Sequence, residues 1–215
     1  MIEYEVKYWD KGLHYVAGVD EAGRGPIAGP LVAAAVVFPP YTVIEGINDS
    51  KKLTPNQREK FLPQIYEKAI SVSIGIVSHC EIERYENILI ASQVAMKRAV
   101  KNLSVKPEIV LVDGKFEIPN LDIKQEAIVG GDGKSLSIAS ASIVAKTYRD
   151  RLMEEFDILY PQYEFAKNKG YPTKRHKEIL KKIGFCPIHR KCFKIFKKLF
   201  PEFFELLKEI ENGKI

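Results

Sequence analysis

Acidic side chains that follow apolar segments are the residues of this sequence best suited to chemistry. Four of them stand in such positions or in a glycine-rich turn: Asp20, Glu21, Asp113 and Asp132. Carboxylate oxygens without histidine or cysteine neighbours select hard cations such as Mg²⁺ or Mn²⁺. Two such ions held ~3.5–4 Å apart can activate a water molecule and stabilise the leaving oxygen of a phosphodiester. The acids therefore predict a metal site suited to phosphodiester hydrolysis.

Two short apolar segments must bring these acids together. Residues 15–19 precede Asp20, and residues 109–112 precede Asp113; both segments are typical of buried strands. If the strands are adjacent and parallel, their carboxyl ends meet where ligands bind in α/β sheets. Carboxylates that close raise one another's pKa unless a cation neutralises them. Each acid alone also fits an ordinary turn or cap, but the set together favours the metal site.

A glycine–arginine–glycine turn, Gly23-Arg24-Gly25, follows the first two acids. Its glycines fit a loose form of the dinucleotide-binding fingerprint, but that fingerprint requires a helix directly afterwards. Pro26 and Pro30 lead instead into a β-rich segment, so we reject this interpretation. A glycine pair around one arginine lets the backbone approach a ligand closely and offers a guanidinium to phosphate. A tight hairpin is compatible with the same residues.

The remaining pattern predicts the elements that hold these residues. The predicted strands are residues 15–19, 31–38, 71–77, 109–112 and 123–129, and the predicted helices are residues 56–69, 81–102, a segment from Ser135 to Phe156, 174–183 and 190–212. Strands come first, then strand–helix alternation, then helices. This order predicts an α/β domain at residues 1–160 with a C-terminal helical extension at residues 161–215.

Charge is distributed unevenly along the 215 residues. The whole chain has 33 Lys and Arg against 28 Asp and Glu, whereas residues 161–215 have 14 against 6. A localised positive field is what a polyanion such as nucleic acid requires, but a basic run taken alone is more often a solvated helix face. Because the acids predict a site for phosphodiester hydrolysis, we expect the C-terminal extension to be the substrate-binding surface.

Composition excludes several classes of protein. The sequence is 46% hydrophobic and 28% charged, which is typical of a globular protein. No apolar run reaches the ~18 residues of a membrane helix, and the first residues lack the order of a signal peptide. Three cysteines without a C-x-x-C motif fit a reducing compartment. We expect a soluble, cytoplasmic protein with no membrane partner.

The cysteines and one histidine near the C-terminus have a second interpretation. Cys186, His189 and Cys192 could suggest a metal site, but their irregular spacing makes a poor zinc motif. We expect a structural role for them. A Cys186–Cys192 disulfide would require an oxidising compartment.

A series of motifs in one fixed order resembles the ribonuclease HII family, the type 2 ribonucleases H. The motifs lie within residues 15–193 and are Asp20-Glu-Ala-Gly-Arg-Gly25, Pro26-Ile-Ala-Gly-Pro30, Asp49-Ser-Lys-Lys-Leu53, Asp113-Gly114, Gly131-Asp132 with Ser135, Ala139-Ser-Ala-Ser-Ile-Val-Ala-Lys146, Arg149-Asp150, Lys169-Gly-Tyr-Pro-Thr173 with His176, and Cys186-Pro-Ile-His-Arg190. One segment departs from the pattern: Gly184 is followed by Phe185 and Cys186, where the family more often has Gly-Pro or Gly-Val.

The resemblance implies a ribonuclease H-like fold, with a mixed five-stranded sheet flanked by helices and a C-terminal helical region. It implies cleavage of RNA paired with DNA, and of duplex DNA on the 5′ side of a single embedded ribonucleotide. The products would carry 3′-hydroxyl and 5′-phosphate ends, and the reaction would start ribonucleotide excision repair. The family also implies two Mg²⁺ or Mn²⁺ ions and a monomer.

The resemblance also implies a role for each residue that matches a motif. Asp20, Glu21, Asp113 and Asp132 would be the metal ligands. Gly23, Arg24 and Gly25 would read the ribose 2′-hydroxyl and the adjacent phosphate, and Tyr171 would pack on the sugar at the RNA–DNA junction. Lys51 and Lys146 would bind phosphates.

Two other functions fit parts of the same pattern. A junction resolvase or transposase-like nuclease would also use clustered acids, and it would cut all-DNA duplexes as fast as ribonucleotide-containing ones. A non-catalytic module would bind duplexes tightly without metal-dependent cleavage. Neither alternative explains the glycine–arginine–glycine turn and Tyr171 together.

Overall fold

The computed structural model describes residues 1–47, 53–202 and 204–205. Five strands form one mixed sheet in the order β3-β2-β1-β4-β5. Their bounds are β1 Val16–Ala22, β2 Leu31–Val37, β3 Ser71–Val77, β4 Ile109–Asp113 and β5 Lys124–Ile128. The β2 strand is antiparallel to both β1 and β3, whereas β4 runs parallel to β1 and β5 runs parallel to β4. The predicted sheet is therefore confirmed, including the parallel pairing of the two acid-bearing strands.

The first strand is longer than its apolar segment suggested. We expected Asp20 and Glu21 to follow the strand, but both lie inside β1, paired with Ala34 and Ala33 of β2. That prediction was wrong because the antiparallel partner β2 continues the hydrogen-bonded ladder past the apolar run. Successive side chains of a strand point to opposite faces, so these two carboxylates leave the sheet on different sides.

Helices cover both faces of the sheet. Their bounds are α1 Glu3–Trp9, α2 Pro55–Lys68, α3 His79–Tyr85, α4 Ile88–Lys101, α5 Leu136–Leu159, α6 Phe165–Asn168, α7 Lys174–Ile183 and α8 Lys194–Leu199. One apolar core lies between the sheet and α4, and the other lies between the sheet, α5 and α2. At Gly18 a Cβ would lie only 2.3 Å from the α5 backbone, so the closest approach of sheet and helix requires glycine.

One predicted helix is two helices. Residues 81–102 were expected to be continuous, but the chain breaks at Glu86, which adopts a left-handed conformation with φ 50°. Asn87 then caps α4, because its side chain accepts a hydrogen bond from the Leu89 amide. The prediction was wrong because the apolar residues keep a helical spacing on both sides of the break, so the pattern does not reveal the cap at Asn87.

The C-terminal helices pack against the end of α5 around a separate apolar core that includes Phe165, Leu180 and Phe196. The helix predicted for residues 190–212 begins only at Lys194 and is interrupted after Leu199. Residues 201–202 and 204–205 are helical again, and residues 203 and 206–212 lie outside the described residues. This prediction was wrong at its start and in its middle, since Phe200 precedes Pro201 and proline disfavours a helical residue before it. The division into residues 1–160 and 161–215 stays a prediction.

None of the helices within the described ranges combines the length and the apolar character needed to cross a bilayer.

Candidate active site

Three carboxylates converge where the parallel pairing of β1 and β4 ends. Asp20, Asp113 and Asp132 each offer an oxygen, and these oxygens lie within 4.8 Å of one another. The register explains the first two, because Val19 of β1 pairs with Val112 of β4 and the acids are the next residues. Asp132 comes from a single 3-10 turn, Gly131–Gly133, which precedes α5.

Glycines place the third acid against the second. Gly130 adopts the left-handed region with φ 64°, which turns the chain back after β5. The Gly131 amide then donates a hydrogen bond of 2.7 Å to Oδ1 of Asp113. The turn and the end of β4 are thus fixed to each other by a bond that stabilises the Asp113 carboxylate.

Asp20 is the most deeply buried member of the group, with 2% of its surface exposed. Its Oδ1 accepts the Glu21 amide at 2.6 Å, whereas its buried Oδ2 has no hydrogen-bond partner among the described residues. Burial and the charges of Glu21 and Asp113 raise the pKa of Asp20 well above its usual range. A buried carboxylate oxygen without a donor, beside two further carboxylates, is the environment that a divalent cation satisfies. The oxygen-only donor set fits Mg²⁺ or Mn²⁺.

Glu21 stands beside this group rather than in it. Its carboxylate forms an ion pair with Arg24 at 3.3 Å, and it lies on the side of β1 that faces α4. Burial raises the pKa of Glu21, and the Arg24 guanidinium offsets part of that rise. The role of Glu21 as a metal ligand stays a prediction.

A cavity of about 320 Å³ joins most of the predicted site residues. It is lined by Asp20, Glu21, Gly23, Arg24, Gly25, Asp113, Lys146 and Tyr171, together with Ala22 and Ser142. The acids, the glycine–arginine–glycine turn, a lysine and the tyrosine therefore open onto one volume. Lys51 lies outside the described residues.

The wall opposite the acids is formed by Tyr171 and its contacts. A Cβ at Gly25 would lie 3.3 Å from the Tyr171 ring, so glycine lets the turn and the ring approach closely. The Lys146 Nζ lies 5.8 Å from the centre of the same ring and forms an ion pair of 2.6 Å with Asp150. Burial lowers the pKa of Lys146. With 41% of its surface exposed, Tyr171 presents a ring to a ligand in the cavity.

Sequence reasoning missed two kinds of residue. Ser142 lines the cavity from α5, where its hydroxyl favours the ionised form of Asp20; it stood in a quoted motif without an assigned role. A second cavity of about 320 Å³ lies on the α4 side and shares Glu21, Arg24 and Asp113 with the first. Its apolar lining includes the exposed Phe116, for which the sequence carried no signal.

Cys186 and His189 form a buried hydrogen-bonded pair. The Cys186 amide donates to Nδ1 of His189 at 3.0 Å, and the imidazole Nε2 lies 3.1 Å from Nε2 of His176. All three cysteines are free thiols. Among the described residues, the one group suited to holding a metal is the aspartate cluster, which agrees with a structural role for Cys186 and His189.

The comparisons with known proteins agree on one family. A family model described as Ribonuclease HII matches residues 17–196. The ribonuclease HII of Acetivibrio thermocellus is 53% identical over 193 residues, covering 90% of this chain and 75% of that protein. The ribonuclease HII of Caldanaerobacter subterraneus is 55% identical over 190 residues, covering 88% and 78%.

A solved structure has the same fold. The crystal structure of the ribonuclease H2 from Pyrococcus horikoshii matches with a TM-score of 0.75 and 31% identity, covering 88% of this chain and 98% of that one. Sequence, fold and family model thus coincide over most of the chain. This chain belongs to the ribonuclease HII family and is a metal-dependent hydrolase of the type 2 ribonucleases H.

Proposed function

We propose that this protein hydrolyses the RNA strand of RNA/DNA hybrids and nicks duplex DNA on the 5′ side of single embedded ribonucleotides. The products would carry 3′-hydroxyl and 5′-phosphate ends. The observation that carries this proposal is the cavity in which Asp20 and Asp113, two of the three convergent aspartates, lie beside a glycine–arginine–glycine turn and an exposed tyrosine ring. Cleavage chemistry and a means of recognising a sugar are adjacent there.

The aspartates would hold two divalent cations, Mg²⁺ or Mn²⁺. When bound, such ions supply an activated water and stabilise the leaving oxygen. Asp20 and Asp113, the residues that directly follow the last parallel pair of β1 and β4, would anchor the two ions, and Asp132 and Glu21 would complete the ligand set. The hydrogen bond from Gly131 to Asp113 keeps the two sides of the site in register. Hydrolysis needs this fixed geometry, since small displacements of reacting groups are costly.

Recognition of the ribonucleotide would come from the turn and the tyrosine. A single 2′-hydroxyl distinguishes RNA from DNA at a given position. Gly23 and Gly25 leave backbone groups accessible to that hydroxyl, and the Arg24 guanidinium, 51% exposed, is available to the neighbouring phosphate. The Tyr171 ring would pack on the deoxyribose that follows. Lys146 and Lys51 would contact phosphates of the same strand.

The basic C-terminal extension would hold the duplex through its phosphates. Its α7 helix carries several Lys and Arg on an exposed face, whereas His176, Ile179 and Leu180 face the protein. Contacts of this kind bind without regard to sequence and weaken as salt rises. The extension therefore supplies affinity, and the cavity supplies selectivity.

We further propose that the protein works as a cytoplasmic monomer in ribonucleotide excision repair. The three free thiols support a reducing compartment. Initiation of repair follows from a nick placed beside an embedded ribonucleotide.

A cleavage assay tests the proposed function. Purified protein with Mg²⁺ is given one duplex sequence containing no, one or four ribonucleotides, and the product ends are mapped. We expect cuts only in the ribonucleotide-containing duplexes, with the single ribonucleotide retained on the 5′-phosphate product. Equal cleavage of the all-DNA duplex would favour a junction nuclease, and tight binding without cleavage would favour a non-catalytic module.

A further inference from the structure

Two arginines are buried directly behind the turn that lines the cavity. Arg149 on α5 and Arg190 in the C-terminal region are both 0% exposed, and neither lines the cavity. Within the described residues, their seven hydrogen bonds all go to backbone carbonyl oxygens. Two neighbouring guanidiniums are thus satisfied by the main chain rather than by acids.

Arg190 binds both ends of the turn. Its Nη1 donates to the carbonyl oxygens of Gly23 at 2.6 Å and Pro26 at 2.8 Å. Its Nε donates to Gly29 at 2.8 Å, and its Nη2 donates to Pro30 at 2.9 Å. A planar group with five N–H donors can hold four carbonyls at fixed angles, which a lysine ammonium cannot do.

Arg149 joins the turn to the loop that carries Tyr171. Its Nε donates to Pro30 at 3.0 Å and its Nη2 donates to Ala28 at 3.1 Å. Its Nη1 donates to Lys169 at 2.9 Å, two residues before the tyrosine. One side chain therefore spans the two segments whose tips form the wall of the cavity.

Burying two like charges side by side carries a large desolvation penalty. Burial lowers the pKa of Arg149 to about 10 and that of Arg190 to about 9, so both remain charged at neutral pH. Apolar side chains could fill this volume without that penalty. What the guanidiniums provide instead is a rigid set of donors that fixes the path of the turn.

We propose that Arg149 and Arg190 are positioning residues that hold the Gly23-Arg24-Gly25 turn at a fixed distance from Tyr171, and thereby set the preference for a lone ribonucleotide. This inference rests on the proposed function of the turn and the tyrosine. A duplex with one ribonucleotide depends on one 2′-hydroxyl and one junction. A stretch of four offers further hydroxyls and tolerates a loosened turn better.

The first test needs no activity. Arg24 is an exposed trypsin site followed by Gly25, and a rigid turn protects the bond between them. Arg190→Lys and Arg149→Lys keep a positive charge but lose the planar fork, so limited trypsin digestion should cut after Arg24 faster than in the wild type. Arg98→Lys is the matched control, because Arg98 also donates to a backbone carbonyl and an acid but lies on α4, away from the turn.

The second test compares kcat/KM for the one-ribonucleotide and four-ribonucleotide duplexes. Arg149→Lys and Arg190→Lys should each lower the one-to-four ratio of kcat/KM by about tenfold or more, because small displacements of positioning groups reduce the rate by at least that factor. A loss of folded protein would lower both kcat/KM values equally and leave their ratio unchanged. For the control Arg98→Lys we expect an unchanged ratio. Thermal melting identifies a variant that does not fold, and the other arginine variant then serves.

The outcomes separate this proposal from the proposed function. If the wild type cuts no ribonucleotide-containing duplex, the proposed function fails, together with the selectivity that rests on it, whereas trypsin still reports whether the arginines fix the turn. If trypsin cuts after Arg24 faster in the lysine variants but the one-to-four ratio of kcat/KM stays at the wild-type value, the arginines order the turn without setting selectivity. That result overturns the proposal. Wild-type protection of Arg24 in both variants overturns it as well.

Discussion

The aspartate cluster and the two arginines behind the neighbouring turn both bring side chains of one charge close together, but they differ in their hydrogen-bond partners. The arginines donate to a full set of carbonyl oxygens. Asp20 keeps a buried oxygen without a donor among the described residues, and its pKa is raised well above the usual range. The arginines hold the backbone, whereas the unpartnered oxygen of Asp20 requires something from outside the chain, such as a cation.

The largest effect should follow from removing one acid. Asp113→Asn keeps the size of the side chain but loses the charge that would hold the ions, so cleavage of the one-ribonucleotide duplex should fall by about 10³-fold or more. Duplex binding, measured by fluorescence anisotropy, should remain. Asp122→Asn, an exposed acid away from the cluster, is the control. Full activity of Asp113→Asn would contradict the role of the aspartate cluster in cleavage.

A smaller effect should follow from changing the cavity wall. Tyr171→Ala removes the ring that packs against Gly25, and kcat/KM on the one-ribonucleotide duplex should fall about tenfold, or about 1.4 kcal/mol. Tyr171→Phe keeps the ring and should retain most of the activity. Steady-state kinetics on both duplexes measures this. Equal losses for the two variants would show that the hydroxyl, not the ring, matters.

Buried His189 is a third kind of ionisable group, because its hydrogen bond with the Cys186 amide requires the imidazole to be neutral. Its Nδ1 accepts the Cys186 amide, and burial lowers its pKa to about 3. The unfolded chain, with an ordinary histidine pKa near 6.5, binds a proton at higher pH than the folded protein does. Stability from this group is therefore complete above pH ~6.5 and is lost as pH falls toward 3, by about 2 kcal/mol at pH 5.

Urea unfolding at pH 7 and pH 5 measures this loss. His189→Asn should lose less stability between the two pH values than the wild type, whereas His14→Asn, at an exposed histidine, should behave like the wild type. Identical pH dependence in the wild type and His189→Asn would contradict the assignment.

The smallest effect should come from the basic surface. Lys181→Ala with Lys182→Ala removes two exposed charges from the end of α7. The slope of log K against log salt should become shallower by about 2, equally for all duplexes. Lys101→Ala, on an exposed position at the end of α4, serves as the control. A change in the one-to-four cleavage ratio would show that this surface contributes selectivity as well as affinity.

Local patterns predicted the sheet and the acid cluster because apolar runs and turn residues report on neighbouring positions. The same patterns could not show that Asp20 and Glu21 lie inside β1, because the length of that strand is set by its partner β2. The break at Glu86 depends on one residue's conformation, which an apolar stripe does not encode.

The role of Arg190 was beyond sequence reasoning for another physical reason. Its partners are backbone carbonyls more than 150 residues away, such as that of Gly29. Every residue has a backbone carbonyl, so the sequence does not show which of them accepts a hydrogen bond from Arg190. Tertiary packing alone brings this side chain against the turn that lines the cavity.

Direct measurement of Mn²⁺ binding tests the central claim that the aspartate cluster, unlike the buried arginines, binds a cation. Electron paramagnetic resonance counts the free ion as protein is titrated. We predict that the wild type and Arg190→Lys take up Mn²⁺ alike, whereas Asp20→Asn and Asp113→Asn bind it far more weakly. Equal uptake by the wild type and the two aspartate variants, or none by the wild type, would contradict the account.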